Sequence, residues 1–93
     1  MPDSDTATLQ VVVNNKLGLH ARPAAMLVQA VSKYESDILI HKGSQKVNGK
    51  SIMGVMMLAA GQGTKLRFEV SGSDADQVVQ DIEELFNRNF DEE

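Results

Sequence analysis

This 93-residue chain contains no cysteine and no tryptophan, and aromatic residues make up only 4% of it. Without cysteine, neither a disulfide nor a thiolate metal site can contribute to its stability or chemistry. Basic residues are also few, since 9 Lys and Arg stand against 13 Asp and Glu, which gives a formal charge of −4. Tight binding to nucleic acid needs a basic surface that releases counterions. The composition therefore argues against nucleic acid as a partner.

Long apolar runs are missing as well. No stretch approaches the roughly 18 consecutive apolar residues of a transmembrane helix, and Met1–Thr8 lacks the basic and apolar regions of a secretory signal. We therefore expect no membrane insertion and a cytoplasmic location. Hydrophobic residues still make up 42% of the chain, enough for one modest core in a small domain. The predicted organisation is a disordered tail over 1–8, one domain over 9–90 and an acidic tail over 91–93.

Periodic apolar residues predict the element order β-α-β-β-α-β-α. The predicted strands lie near 9–13, 37–41, 45–47 and 65–71, and the helices begin near Ala21, Ser51 and Ser73. Strands with one apolar and one polar face indicate an antiparallel sheet that is covered on a single side. The predicted fold class is α+β, an open-faced β-sandwich with a four-stranded antiparallel sheet and three helices on one face. The pattern by itself also allows a ferredoxin-like ligand-binding module.

The run GLHARPAA over residues 18–25 places a histidine and an arginine where a turn becomes a helix. Proline is tolerated in the first turn of a helix, where amide N–H groups lack acceptors within the helix. Those amides and the positive end of the helix dipole form a ready site for an anion. His20 can act there as a nucleophile, and Arg22 as a planar donor to phosphate oxygens. The segment therefore predicts a histidine that carries a phosphoryl group.

A second motif follows downstream, where residues 48–56 read NGKSIMGVM. Together the two motifs resemble the HPr family, the histidine phosphocarriers of the bacterial phosphoenolpyruvate-dependent phosphotransferase system. Both motifs occur in the order and spacing of that family, and the similarity extends from about Leu9 to about Phe86. HPr-like proteins have the open-faced architecture that the periodicity predicts, so the pattern and the resemblance agree.

The resemblance implies a phosphoryl carrier and not an enzyme with a small-molecule substrate of its own. Enzyme I, charged from phosphoenolpyruvate, would phosphorylate His20, and His20 would pass the group to an enzyme IIA. By the same resemblance, Nδ1 of His20 would take the phosphoryl group and Arg22 would assist. We expect no cofactor, and the chain is expected to be a monomer.

Ser51 has two compatible roles in this interpretation. Serine is a favoured N-cap, so Ser51 is predicted to begin a short helix. The segment around it also resembles the HPr region that HPr kinase/phosphorylase recognises, which implies regulatory phosphorylation of Ser51. A phosphate at this position would act on partner docking more than on the fold. The resemblance further implies a partner-binding patch beside His20, in which Met53 is expected to be exposed; its predicted members are Lys50, Ile52, Met53 and Met56.

His41 provides an internal control for the site prediction. Ile38 and Ile40 are predicted to point inward, so His41 on the opposite strand face is expected to be solvent-facing and inert. Neither His20 nor His41 has Cys, Asp or Glu at the spacing of metal ligands, and we therefore expect no metal site.

Two aspects of the function stay open at this point. Residues 85–93, LFNRNFDEE, look like nitrogen-branch HPr, whereas the segment around Ser51 looks like the sugar-uptake, kinase-regulated branch. The acceptor is thus a sugar-specific or a nitrogen-type enzyme IIA. The alternative to a carrier is a regulatory protein-binding module whose phosphorylation state is sensed by partners with little phosphoryl flux, although the presence of His20 weighs against it. A small-molecule-binding module would instead show a ligand pocket and no labelling from phosphoenolpyruvate.

Overall fold

The computed structural model describes residues 5–92, which form a four-stranded antiparallel sheet and three helices. The order along the chain is β1 (Thr6–Val12), α1 (Ala21–Ser32), β2 (Asp37–Lys42), β3 (Gln45–Asn48), α2 (Ile52–Met57), β4 (Lys65–Ser71) and α3 (Ala75–Asn87), followed by a short turn over Asn89–Asp91. The predicted α+β class and the predicted order of elements are confirmed.

The strands lie side by side in the order β1-β4-β2-β3. β4 lies between β1 and β2, so that Phe68 is opposite Leu9 on one side and Ile40 on the other. The alternation predicted for β4 is confirmed, because its even-numbered residues are buried while Lys65 and Arg67 are exposed. One face of the sheet therefore belongs to the core, and the other is open.

The helices cover the apolar face of the sheet and close the core. α1 packs against α2 and α3, and α3 also contacts β1 and β4. Near the end of α3, the Phe86 ring makes edge-to-face contacts with Phe68 of the sheet and with Phe90 beyond the helix, at centroid distances of 5.8 and 4.8 Å. This aromatic cluster ties the C-terminal turn to the centre of the sheet.

Both ends of the fold differ from the prediction. β1 begins at Thr6, so Thr6–Thr8 pair with β4 and belong to the sheet and not to a tail. Apart from the half-buried Ala7, these positions carry polar side chains, which is why they gave no apolar signal. At the other end, Asp91 and Glu92 bond to side chains of the domain and do not form a free acidic tail. Asp5 is described as well, and its carbonyl accepts a hydrogen bond from the Gly72 amide (2.8 Å). Residues 1–4 and 93 of the predicted tails lie outside the described part of the chain.

The start of α3 also differs from the prediction. The helix begins at Ala75 and not at Ser73, and Asp74 is its N-cap. The Asp74 carboxylate does not cap this helix but accepts hydrogen bonds from the Ser36 hydroxyl and from the amides of Glu35 and Ser36. These bonds lower the pKa of Asp74 below its ordinary value, and the Ser36 hydroxyl contributes most.

Candidate functional site

His20 is the residue at which the loop after β1 becomes α1. It occupies the N-cap position with an extended backbone (φ −76°, ψ −170°), and its carbonyl accepts a hydrogen bond from the Ala24 amide (3.0 Å). Gly18 has a φ of +69°, and a Cβ at this position would collide with the Ala60 carbonyl oxygen. The Leu19 amide donates to that same oxygen (2.9 Å). The glycine therefore allows the close approach that fixes how His20 enters the helix.

The His20 imidazole faces the C-terminal turn. Its Nε2 lies 3.0 Å from Oε2 of Glu92, and Oε1 of Glu92 accepts a hydrogen bond from Nδ2 of Asn15 (2.8 Å). Asn15 is buried, and its Nδ2 also donates to the carbonyl oxygen of Asn89 (3.0 Å). No hydrogen bond within residues 5–92 involves Nδ1 of His20. About a third of the side chain is exposed (34%), so the ring is accessible while its Nε2 edge is engaged.

Arg22 lies exposed in the first turn of α1, two residues after His20. With Lys16 it borders a depression that is also lined by Asp91 and Glu92. The structure therefore brings the predicted phosphate-assisting arginine into the same region of the surface as the His20–Glu92 pair. A guanidinium in this position can bond two oxygens of a phosphoryl group in one plane.

Ser51 begins α2, as predicted. Its Oγ accepts a hydrogen bond from the Gly54 amide (3.0 Å), and its carbonyl accepts one from the Val55 amide (2.9 Å). The side chain is half-buried, so the hydroxyl caps the helix from a partly accessible position. The capping role of Ser51 is confirmed, and its phosphorylation stays a prediction.

An apolar patch lies along the exposed side of α2. It consists of Ile52, Met53, Met56 and Met57, which line one shallow groove and are all exposed. Met53 is 73% exposed, which confirms the expectation for this residue. Met56 also borders the depression that contains His20, together with Leu17 and Leu19. This α2 patch therefore extends to the edge of the histidine site.

Lys50 is engaged in a contact that the sequence did not indicate. Its Nζ lies 2.6 Å from the carbonyl oxygen of Tyr34, in the segment between α1 and β2. This hydrogen bond ties the residue before Ser51 to the segment that follows α1. Lys50 thus has a structural contact in addition to its predicted place in the partner-binding patch.

His41 lies on the predicted open face of the sheet, but it is not solvent-facing. Its side chain is only 18% exposed, and its Nε2 lies 2.9 Å from Oε1 of Glu69. The register explains the contact, because Leu39 is opposite Glu69 and His41 is opposite Arg67, which makes Glu69 a diagonal neighbour of the ring. The expectation of a solvent-facing His41 is therefore wrong.

Sequence reasoning missed Asn15, Leu17, Met57 and Glu92 as parts of the site. The second methionine of the Met56-Met57 pair and the apolar Leu17 in a loop could have indicated exposed apolar surface. No sequence signal links Glu92 to His20, because the two are 72 residues apart. Within residues 5–92, no group of three or more potential ligand side chains could hold a metal ion. None of the helices in that range has the length and apolar character to cross a bilayer.

The sequence and the fold are similar to those of known phosphocarrier proteins. Residues 7–88 match the family described as PTS HPr component phosphorylation site. The phosphocarrier protein HPr of Xylella fastidiosa strain 9a5c is 48% identical over 84 residues, which cover 90% of this chain and 94% of that protein. HPr-C-His from Thermoanaerobacter tengcongensis has a similar crystal structure, with a TM-score of 0.90 and 40% identity over 94% of this chain and 98% of that one.

A third relative bears on assembly. A crystal structure described as an HPr dimer from Thermoanaerobacter tengcongensis aligns with a TM-score of 0.75 and 41% identity, covering 88% of this chain and 94% of that one.

An open-faced sandwich with an accessible histidine at the start of its first helix defines a small phosphocarrier, a protein that holds a group and is not itself a catalyst. The chain belongs to the HPr family of the phosphotransferase system.

Proposed function

We propose that His20 accepts a phosphoryl group from phospho-enzyme I and passes it to an enzyme IIA. The observation that carries this proposal is the accessible His20 ring, whose Nε2 is engaged by Glu92 while Nδ1 has no partner within residues 5–92. An imidazole nitrogen with a free lone pair is a nucleophile for phosphoryl transfer. As the Nδ1–P bond forms, the bond from phosphorus to the donor breaks. Transfer to the enzyme IIA then breaks the Nδ1–P bond.

The surroundings of His20 suit a phosphoryl group on Nδ1. Phosphoryl transfer depends mainly on positioning and on neutralising charge. The first-turn amides of α1 lack acceptors within the helix, and the helix dipole favours an anion at this end. The exposed Arg22 guanidinium lies on the same turn, where it can neutralise charge on the phosphoryl group.

Partners are proposed to dock on the α2 patch (Ile52, Met53, Met56 and Met57). Methionine side chains repack readily, which suits a surface that must bind enzyme I and an enzyme IIA in turn. Met56 borders both the patch and the His20 depression, so a partner on the patch would lie next to the phosphoryl group.

The family supports a cytoplasmic location. The monomeric state predicted from the sequence stays a prediction, and light scattering of the purified chain tests it.

Ser51 is the proposed regulatory site, modified by HPr kinase/phosphorylase. Its half-buried hydroxyl begins the helix that carries the α2 patch. A phosphate there would place a dianion at the edge of the docking surface, where it costs desolvation and repels acidic partner groups. Modification of Ser51 is therefore expected to weaken docking while the fold is kept.

The acceptor is either a sugar-specific or a nitrogen-type enzyme IIA. Incubation of the phosphorylated chain with one protein of each type distinguishes the two branches, because the true acceptor removes the label faster.

The experiment that tests the carrier role uses enzyme I, magnesium and labelled phosphoenolpyruvate. We expect acid-labile, base-stable label on the wild type and on His41→Ala, and none on His20→Ala. His41 is the matched control because it is the second histidine and its Nε2 also contacts a glutamate. Labelling of His20→Ala, or no label on the wild type with an enzyme I shown to be active on another HPr, would contradict the proposal.

A further inference from the structure

We infer that Glu92 is a positioning residue for His20: its carboxylate, held by Asn15, keeps the proton on Nε2 so that Nδ1 presents its lone pair to the phosphoryl donor. The consequence for transfer rests on the proposed function. The consequence for the tautomer of His20 rests on the contacts alone.

The chemistry of the contact assigns the proton. Nε2 of His20 and Oε2 of Glu92 are 3.0 Å apart, a normal hydrogen-bond distance. A carboxylate can only accept a hydrogen bond, so Nε2 must be the donor. A neutral imidazole carries one N–H, and Nδ1 is then the nitrogen with the free lone pair.

The carboxylate is fixed from its other side. Nδ2 of Asn15 donates to Oε1 of Glu92 (2.8 Å) and to the carbonyl oxygen of Asn89 (3.0 Å). Asn15 is only 3% exposed, so its amide is held by the surrounding core. Both oxygens of Glu92 are therefore engaged, one by a buried amide and one by the ring. His20 and Glu92 thus form a histidine–carboxylate pair, and Asn15 orients the carboxylate.

The backbone before Glu92 adopts an unusual conformation that brings the carboxylate to the ring. Asn89, Phe90 and Asp91 all have positive φ values, of 52°, 53° and 60°. Such a left-handed run of non-glycine residues is disfavoured and persists only where the surroundings enforce it.

Three contacts enforce this turn. The Phe90 side chain is fully buried and packs on Phe86, and the Arg88 guanidinium lies 3.0 Å from the Asp91 carboxylate. The third is the Asn15 bond to the Asn89 carbonyl. The turn directs the chain back toward the loop that carries Asn15, and Glu92 follows directly. A disfavoured turn that places the Glu92 carboxylate against His20 is what a positioning role predicts.

The proton accounting favours this arrangement. When Nδ1 attacks phosphorus, the ring acquires positive charge and Nε2 keeps its proton, which Glu92 continues to accept in a hydrogen bond. When the phosphoryl group leaves, the electron pair of the N–P bond returns to Nδ1 and Nε2 still keeps its proton. Glu92 therefore stabilises the charged ring in both directions, and His20 needs no proton donor or acceptor from solvent.

The test compares the two His–Glu pairs of the chain by long-range ¹H–¹⁵N NMR, under conditions in which the rings are neutral. In the wild type, His20 is expected to show a protonated Nε2 and an unprotonated Nδ1. In Glu92→Ala, the two nitrogens should move toward the averaged positions of a tautomer mixture, with a smaller change in Glu92→Gln, which keeps an acceptor oxygen. Glu69→Gln is the matched control, because it alters the partner of His41 and should leave the His20 signals unchanged.

The same variants are then phosphorylated by enzyme I in single-turnover experiments. Loss of one hydrogen bond to a charged group predicts a transfer rate lower by roughly 10- to 100-fold for Glu92→Ala. Glu69→Gln should transfer at the wild-type rate. Thermal unfolding shows whether the slower variants are folded.

Each outcome bears on the inference. Wild-type His20 nitrogen shifts in Glu92→Ala would overturn the positioning role, and so would altered shifts with an unchanged transfer rate. If the wild type itself takes no label from an active enzyme I, the proposed carrier function fails. In that case the NMR comparison still decides whether Glu92 sets the tautomer.

Discussion

Two histidines of this chain contact a glutamate carboxylate through Nε2, at 3.0 Å for His20 and 2.9 Å for His41. Their surroundings separate them. His20 begins a helix and is about a third exposed, with Arg22 on the following turn, whereas His41 lies within a strand and is mostly covered. A phosphoryl group on His20 would meet helix amides and a guanidinium. The same pair of residue types thus lies at the proposed carrier site in one place and between neighbouring strands in the other.

Gly18 offers a residue-scale prediction about how the site is held. Gly18→Ala should lower the free energy of unfolding more than Gly43→Ala, measured by urea denaturation. Both glycines have positive φ, +69° and +59°, so alanine at either is expected to cost about 1–2 kcal/mol of backbone strain. A Cβ at Gly18 would in addition collide with the Ala60 carbonyl, whereas no atom lies within 4 Å of one at Gly43. An equal decrease in the free energy of unfolding of the two variants would contradict the role assigned to the close contact between Gly18 and the Ala60 carbonyl.

At the scale of the elements, apolar periodicity predicted the strands and helices that bury one face in the core. β4 and α3 follow their apolar residues closely, because one face of each is in the core. The first three residues of β1, Thr6–Thr8, were not predicted as strand because they pair with β4 through the backbone and bury little apolar surface. The left-handed turn after α3 was not predicted for another reason. Asn89 and Asp91 tolerate this conformation as single residues, but a run of three that includes a phenylalanine is disfavoured, and burial of Phe90 enforces it.

Ser51 gives a prediction for α2. Ser51→Ala should lose the N-cap and about 0.5–2 kcal/mol of stability, while Ser44→Ala, in an exposed turn, should lose little. Ser51→Asp keeps a capping oxygen, so its circular dichroism spectrum and melting cooperativity should stay native-like. It should nevertheless slow phosphoryl uptake by His20, because it adds negative charge beside the α2 patch. Unchanged uptake in Ser51→Asp would count against a blocking role for phosphorylation.

At the scale of the whole molecule, Asp74 links the fold to pH. Its pKa is lower in the folded chain than the ordinary value of 3.8, chiefly because of the Ser36 hydroxyl. The ionised carboxylate therefore stabilises the fold above pH 3.8, and this contribution is lost as the pH falls through the folded-state pKa. As the pH falls below about 5, we expect the free energy of unfolding of Asp74→Asn to decrease less steeply than that of the wild type. Urea denaturation at a series of pH values measures this difference. Parallel curves would contradict this linkage.

The candidate site divides by sequence separation into predictable and unpredictable parts. His20, Arg22 and Ser51 were predicted because each belongs to a local motif whose spacing places it at a helix start. Glu92 and Asn15 were not, because their contacts span 72 and 77 residues and depend on how the last turn packs. The proposed chemistry thus rests on residues of local motifs, and the groups proposed to orient His20 come from the tertiary structure.

The most direct measurement of the carrier role is the ¹⁵N NMR spectrum of the histidine rings before and after incubation with enzyme I and phosphoenolpyruvate. The structure predicts that Nδ1 of His20 shifts on phosphorylation while both nitrogens of His41 stay in place. A phosphoryl group on His41, on Nε2 of His20 or on no histidine would contradict the proposed site.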